Sequence, residues 1–216
     1  MAFVAVPTVA RVHGAGDPVA RAVAAAGGRE LLSRVRAISW TSRNRIVLGG
    51  TVVDVLAETR IEPFARWRSD TRLVGEDRTD TRTLMIERDG GFIVQSGAQV
   101  PMPGEQARFE RQQFGVFAYL LLAQAALATA GPKRLTATHA GFPPIALGLA
   151  SDGRVAMADY AVPPPGTTNG GMQHFTFSGT VSAQGVRFPR KIAITQAGRD
   201  TTTMILDAFS VELMPA

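Results

Sequence analysis

The sequence predicts an α+β domain: a curved antiparallel open (half) β-barrel, with an N-terminal helix and a central helix packed over its concave face. Three observations predict it. From residue 51 to 62 apolar and polar residues nearly alternate, with Val53, Val55, Ala57, Thr59 and Ile61 on one side. That period of two marks a strand with one buried face. Further short strand patterns follow at close spacing in both halves of the chain. Between the two series lies one helical stretch, 105–128, polar in its first half and apolar nearly all round in its second. A helix apolar on every side is buried on every side. Strands before and after one helix can share a sheet, so a single domain is the simplest reading.

Asp17 is a good N-cap and Pro18 fits the first helical position. The first helix therefore runs from Asp17 or Pro18 to about Ile38, and Gly27-Gly28 divides it in two. The second piece places Leu31, Leu32 and Val35 on one face. Strands are expected at 38–48, 51–62, 64–74, 83–88 and 92–96, with hairpin signals at Gly49-Gly50 and Asp89-Gly90. Residues 76–81 form a loose turn, and Pro101 to Gly104 ends the series. Gly131-Pro132 stops the central helix. The second series is expected at 135–139, 144–149, 154–160, 174–182, 186–189, 191–196 and 201–211. Its turns are Asp152-Gly153 and Ala183-Gln184-Gly185. Residues 163–171 form the longest loop.

Composition narrows the function classes. A chain of 216 residues buries roughly 70 % of its unfolded surface and needs no disulfide or metal to hold a core. The absence of cysteine excludes disulfides, cysteine nucleophiles and thiolate metal sites. The net charge is +5, and 21 of the 23 basic residues are arginine. These are scattered beside Asp and Glu instead of clustered, which argues for a solvated surface and against nucleic acid. A diffuse positive potential allows peripheral membrane contact at most. The most apolar run, 116–128, is well short of the roughly 20 apolar residues of a span. Residues 1–12 are small and apolar, and an exposed junction follows at 13–18. Residues 1–16 thus read as the remnant of a signal peptide or a flexible N-terminus, with an N-terminal strand as the other reading. The domain proper is 17–216. A lost leader would place the protein in the periplasm.

Catalytic motifs are sparse. His13, His139 and His174 lie far apart, with no metal-ligand spacing, no phosphate loop and no nucleophile elbow. No cofactor is expected. Asp54 and Glu58 alternate with the apolar set and face solvent. Asp159 and Asp207 sit in apolar strands, where arginine partners are the simplest account. The remaining signal is aromatic: Phe64, Trp67, Phe92, Phe109, Phe114, Phe117, Phe142, Phe175 and Phe177 point inward. They form either a plain core or, in a half-open barrel, the lining of a greasy cleft.

Pro63, Phe64, Arg66 and Trp67 form a Pro-then-aromatic-basic motif, and Asp89-Gly90 with Phe92 open a later strand. With these residues, the order of elements resembles the LolA-like, outer-membrane lipoprotein-sorting-protein family. The late segment Gly185-Val186-Arg187-Phe188-Pro189-Arg190-Lys191-Ile192 and the opening Ala25 to Leu32 add to it. The residue before Pro63 is Glu62, where the carriers have an arginine that holds the lid. The resemblance implies an open barrel with helical lid and no catalysis. It also implies a concave cavity for lipid or acyl chains, and an envelope protein partner. Phe64, Trp67, Phe92, Phe117 and Leu121 are then expected to bind the ligand. Two other readings stand beside this one. In one, the domain is an interaction scaffold with a filled core. In the other, it is an enzyme acting on a hydrophobic substrate through Asp159, Tyr160 or His139.

Overall fold

A computed structural model describes residues 16–163, 165–166 and 171–215. The leader-like residues, Gly16 apart, and most of the 163–171 loop lie outside this set. In chain order the elements are α1 (Pro18–Ala26), α2 (Arg29–Ser33), β1 (Val35–Leu48), β2 (Thr51–Glu62), β3 (Arg66–Leu73), β4 (Arg82–Glu87), β5 (Gly90–Gln95) and β6 (Ala98–Pro101). The central helix α3 (Gly104–Tyr119) follows. The second half holds β7 (Ala126–Gly131), β8 (Arg134–Thr138), β9 (Ile145–Leu149), β10 (Val155–Val162) and β11 (Gly171–Ser178). After these come β12 (Val181–Ala183), β13 (Val186–Phe188), β14 (Lys191–Gln196) and β15 (Arg199–Leu213).

Thirteen strands form one antiparallel sheet in the order β6-β5-β4-β3-β2-β1-β15-β14-β11-β10-β9-β8-β7. The last long strand, β15, pairs with β1 and joins the two halves. The sheet stays open, with β6 and β7 as its edges. Each edge is protected. Pro101 removes a donor from β6. At β7, α1 packs alongside, and the Thr129 hydroxyl reaches the Asp17 carboxylate at 3.4 Å.

The alternation read from β2 holds: Val55, Ala57, Thr59 and Ile61 are buried on the concave side, and Asp54 and Glu58 are exposed. The Asp17 cap also holds, its carboxylate accepting from the Val19 N–H at 3.1 Å. Several boundaries differ. The helical start ends at Ser33, not near Ile38, because residues 35–46 pair with β15. The expected strand 174–182 breaks at Gly179, and β12 pairs with β13 in a separate two-stranded hairpin. The edge strands β6 and β7 had no sequence signal of their own.

The largest correction is the central helix. It ends at Tyr119 rather than Ala128. Leu122 adopts a left-handed conformation (φ 51°) that turns the chain, and Gln124 ties the turn down by donating to the Val35 carbonyl at 2.7 Å. Residues 126–131 then pair with β8. Alanine favours helix locally, but a ladder that extends the sheet overrides the preference.

Gly115 to Leu122 are buried on every side, as their composition required. The helix approaches the sheet through glycines. A Cβ on Gly91 of β5 would lie 2.8 Å from the Met85 carbonyl oxygen and 3.7 Å from Ala107 of α3. A Cβ on Gly115 would lie 2.7 Å from the Phe142 ring and 2.9 Å from the Tyr160 hydroxyl. That hydroxyl donates to the Gln112 carbonyl at 2.8 Å, and Tyr119 donates to Pro143 at 2.9 Å.

Two outcomes follow from this packing. Gly115→Ala gains about 1 kcal/mol of helix propensity but must displace Phe142 or Tyr160. Its urea midpoint is expected to fall, by a net of about 1–3 kcal/mol. The chain's two tyrosines are both buried. Burial pushes the Tyr119 phenol up to about 12 and raises Tyr160 as well, helped there by Tyr119. The neutral phenols are favoured in the fold, so their stability contribution is whole below the unfolded pKa of about 10 and is lost as pH rises above it. Tyrosinate absorbance should therefore stay flat through pH of about 10–11 in the native protein. In denaturant it should rise there.

Candidate functional site

A cavity of about 210 Å³ lies beneath α1. Two close approaches hold the helix over it. A Cβ on Gly153, in the β9–β10 turn, would lie 3.0 Å from the Arg21 carbonyl oxygen. A Cβ on Gly27, at the end of α1, would lie 2.9 Å from the Gly185 carbonyl oxygen in the β12–β13 hairpin. Gln184 and Gly185 both have positive φ, which makes that hairpin turn tight. Between these supports α1 presents Ala22, Ala25 and Ala26. Their spacing puts them on one helix face, and their small side chains leave the space unfilled.

The cavity floor is Leu120 and Leu122, from the turn after α3, with Phe177 and Phe188. Its polar lining is Arg154, Ser178, Thr180 and Arg187. Arg154 is tied down: it donates to Asp152 at 2.6 Å and to the Thr180 hydroxyl at 2.9 Å. That contact holds the Asp152 carboxyl below the usual carboxylate range. Arg187 donates only a 3.3 Å bond to the Ala25 carbonyl, and no ion pair to it occurs among the described residues.

The five sequence-derived residues fall elsewhere. Trp67 and Leu121 are at most 1 % exposed and belong to the packed core, with Phe64 and Phe117. Phe64 and Trp67 meet through Phe142, at centroid distances of 5.0 and 6.0 Å, and Phe117 packs on Trp40 at 5.4 Å. Phe64 holds a positive φ of 58° at the third position of the Glu62–Ala65 turn, a place that favours glycine. His139 stacks on its ring at 3.8 Å. Phe92 pairs with Met85, whereas Gly91 pairs with Ile86. Phe92 therefore lies on the outer face. It shares with Phe64 an open depression of about 590 Å³ ringed by Glu62, Arg66, Glu87, Arg88 and Asp89. The alanine stripe of α1 was the signal available for the cleft, and small residues are easily passed over.

The other chemical candidates disperse. Asp159 accepts from His174 at 2.6 Å and lies 3.7 Å from Arg134 on the outer face. Tyr160, next to it on β10, faces inward. Asp207 takes two bonds from Arg43, at 2.8 and 3.1 Å. Across the concave wall the Trp40 indole N–H, Ser42 hydroxyl and Asn44 amide oxygen are buried without a protein partner among the described residues. Beside them Thr59 and Ser69 bond each other at 3.1 Å.

No family model matches the chain, and no curated protein matches it in sequence. Solved structures do match. A DUF1329 family protein from Desulfovibrio piger superposes with a TM-score of 0.57 at 11% identity, covering 92% of this chain and 93% of that one. A LolA superfamily protein from Nitrosomonas europaea gives 0.56 at 8% identity, covering 92% and 93%. A Vibrio parahaemolyticus domain assigned to outer membrane lipoprotein sorting gives 0.53 at 11%, covering 85% and 90%. Identities this low speak for architecture alone. The chain has the LolA-like fold: an open antiparallel barrel with a helix across its concave face.

Proposed function

We propose that this chain is a non-enzymatic cell-envelope protein that binds or carries a hydrophobic ligand, working in the periplasm with an envelope protein partner. The observation that carries the reading is the alanine-roofed cleft on an apolar floor. It sits in a fold shared with a domain assigned to lipoprotein sorting. Each methylene taken from water into such a cleft contributes about 0.8 kcal/mol. At about 210 Å³ the cleft is smaller than the ~300–1,000 Å³ of drug-sized sites. It suits one short chain, or the end of one chain. The nine-residue helix α1 rests on glycine contacts at its middle, where Gly153 meets Arg21, and at its C-terminal end, where Gly27 meets Gly185. Displacing it would deepen the cleft toward Phe117 and Leu121 and set the rate of release.

A second reading, an interaction domain with a filled core, draws on the dense packing of Trp67, Phe117 and Leu121. Native mass spectrometry of protein purified from its own envelope without detergent separates the two. An adduct of lipid mass that is lost on denaturation is the result expected for a carrier. A bare mass, with no uptake of offered lipid, would favour the scaffold. Ala25→Trp should fill the cleft and abolish uptake of a fluorescent acyl probe while thermal unfolding stays near that of the wild type.

A further inference from the structure

We infer that the cleft beneath α1 takes a single-chain amphiphile with an oxyanion head, and that Arg187 holds that head. This rests on the carrier reading. The two arginines that line the cleft differ in what already occupies them. Arg154 is neutralised by Asp152, at 2.6 Å, and its fork is further engaged by Thr180. Arg187 is exposed, spends one N–H on the Ala25 carbonyl, and has no carboxylate within 4.0 Å among the described residues. A guanidinium has five donors, arranged to grip a carboxylate or phosphate by two parallel bonds.

The rest of the lining fits such a ligand. The apolar floor of Leu120, Leu122, Phe177 and Phe188 offers no acceptor, so the chain end belongs there. The hydroxyls of Ser178 and Thr180 also line the cleft and supply neutral donors for a second head-group oxygen. The volume admits one chain, so an amphiphile with several acyl chains does not fit this cleft as it stands. Arg187 also sits at the C-terminal end of α1, where a cation stabilises a helix by itself. That structural role predicts a change in stability but no discrimination between charged and neutral ligands.

The test is titration of the full chain with dodecanoate, dodecyl phosphate and dodecanol, which share a chain and differ in the head. The wild type should bind an anionic form about tenfold more tightly than the alcohol, the scale of one charge-assisted pair. Whichever of carboxylate and phosphate binds better identifies the head group. High salt should shrink the preference. Arg187→Gln should bring the anionic and neutral affinities together, and Arg187→Lys should keep most of the difference. Thermal unfolding of each variant, run alongside, reports the helix-end role separately. Equal wild-type affinities for anion and alcohol would overturn the inference and leave the carrier reading standing. A preference that persists in Arg187→Gln would overturn the assignment of Arg187. Binding of none of the three would overturn the inference, while a lipid-mass adduct in the native protein would still leave the carrier reading standing.

Discussion

The burial of residues 115–122 against the concave wall is the constraint on which the structure depends. An open sheet of thirteen strands presents one long apolar face, and the small β12–β13 hairpin outside it meets only part of that face, where Phe188 stacks on Trp40. The all-round apolar end of α3 and the turn after it fill that face. Trp40, Phe64, Phe142 and Tyr160 close around this plug, and Gly115 sets how near Phe142 and Tyr160 come to it. The Leu122 turn follows from the same demand, because the chain must leave the wall to build the far edge of the sheet.

The outer face is governed by different physics. Arg43 with Asp207, Arg45 with Asp54, and Arg60 and Arg36 with Glu212 form cross-strand ion pairs, all largely exposed. Their arginine partners hold Asp54 and Glu212 below the usual carboxylate range. Such pairs contribute little to stability in water. They keep a broad sheet surface polar and fix cross-strand neighbours. The arginine-rich composition is therefore spent mainly on a solvated face, and of the two arginines that line the cleft Arg154 is paired with Asp152 while Arg187 has no ion pair among the described residues.

The cleft exists because α1 is short and alanine-rich while the elements beneath it are large. Two turns bring backbone up to the helix, at Gly153 and at Gly185, and they act as posts that keep it off the Phe177–Phe188 floor. Larger residues on the α1 face would turn the same arrangement into ordinary core.

Much of the architecture was legible in the chain. The alternation of β2, the Asp17 cap, the hairpin turns and the need to bury the apolar end of α3 are local patterns, set by side-chain period and backbone preference. The order of elements already resembles that of an open barrel. Three things were decided only by tertiary structure. The helix stopped at Tyr119 because pairing with β8 outweighed the helix preference of an alanine run. Phe92 fell on the outer face because register, which a single residue can flip, is set by the partner strand. Phe64, Trp67 and Phe117 went into a packed core, and the free space went beneath the alanines of α1, above Phe177 and Phe188. A cavity is the difference between neighbouring volumes, and those neighbours come from five separate segments of the chain.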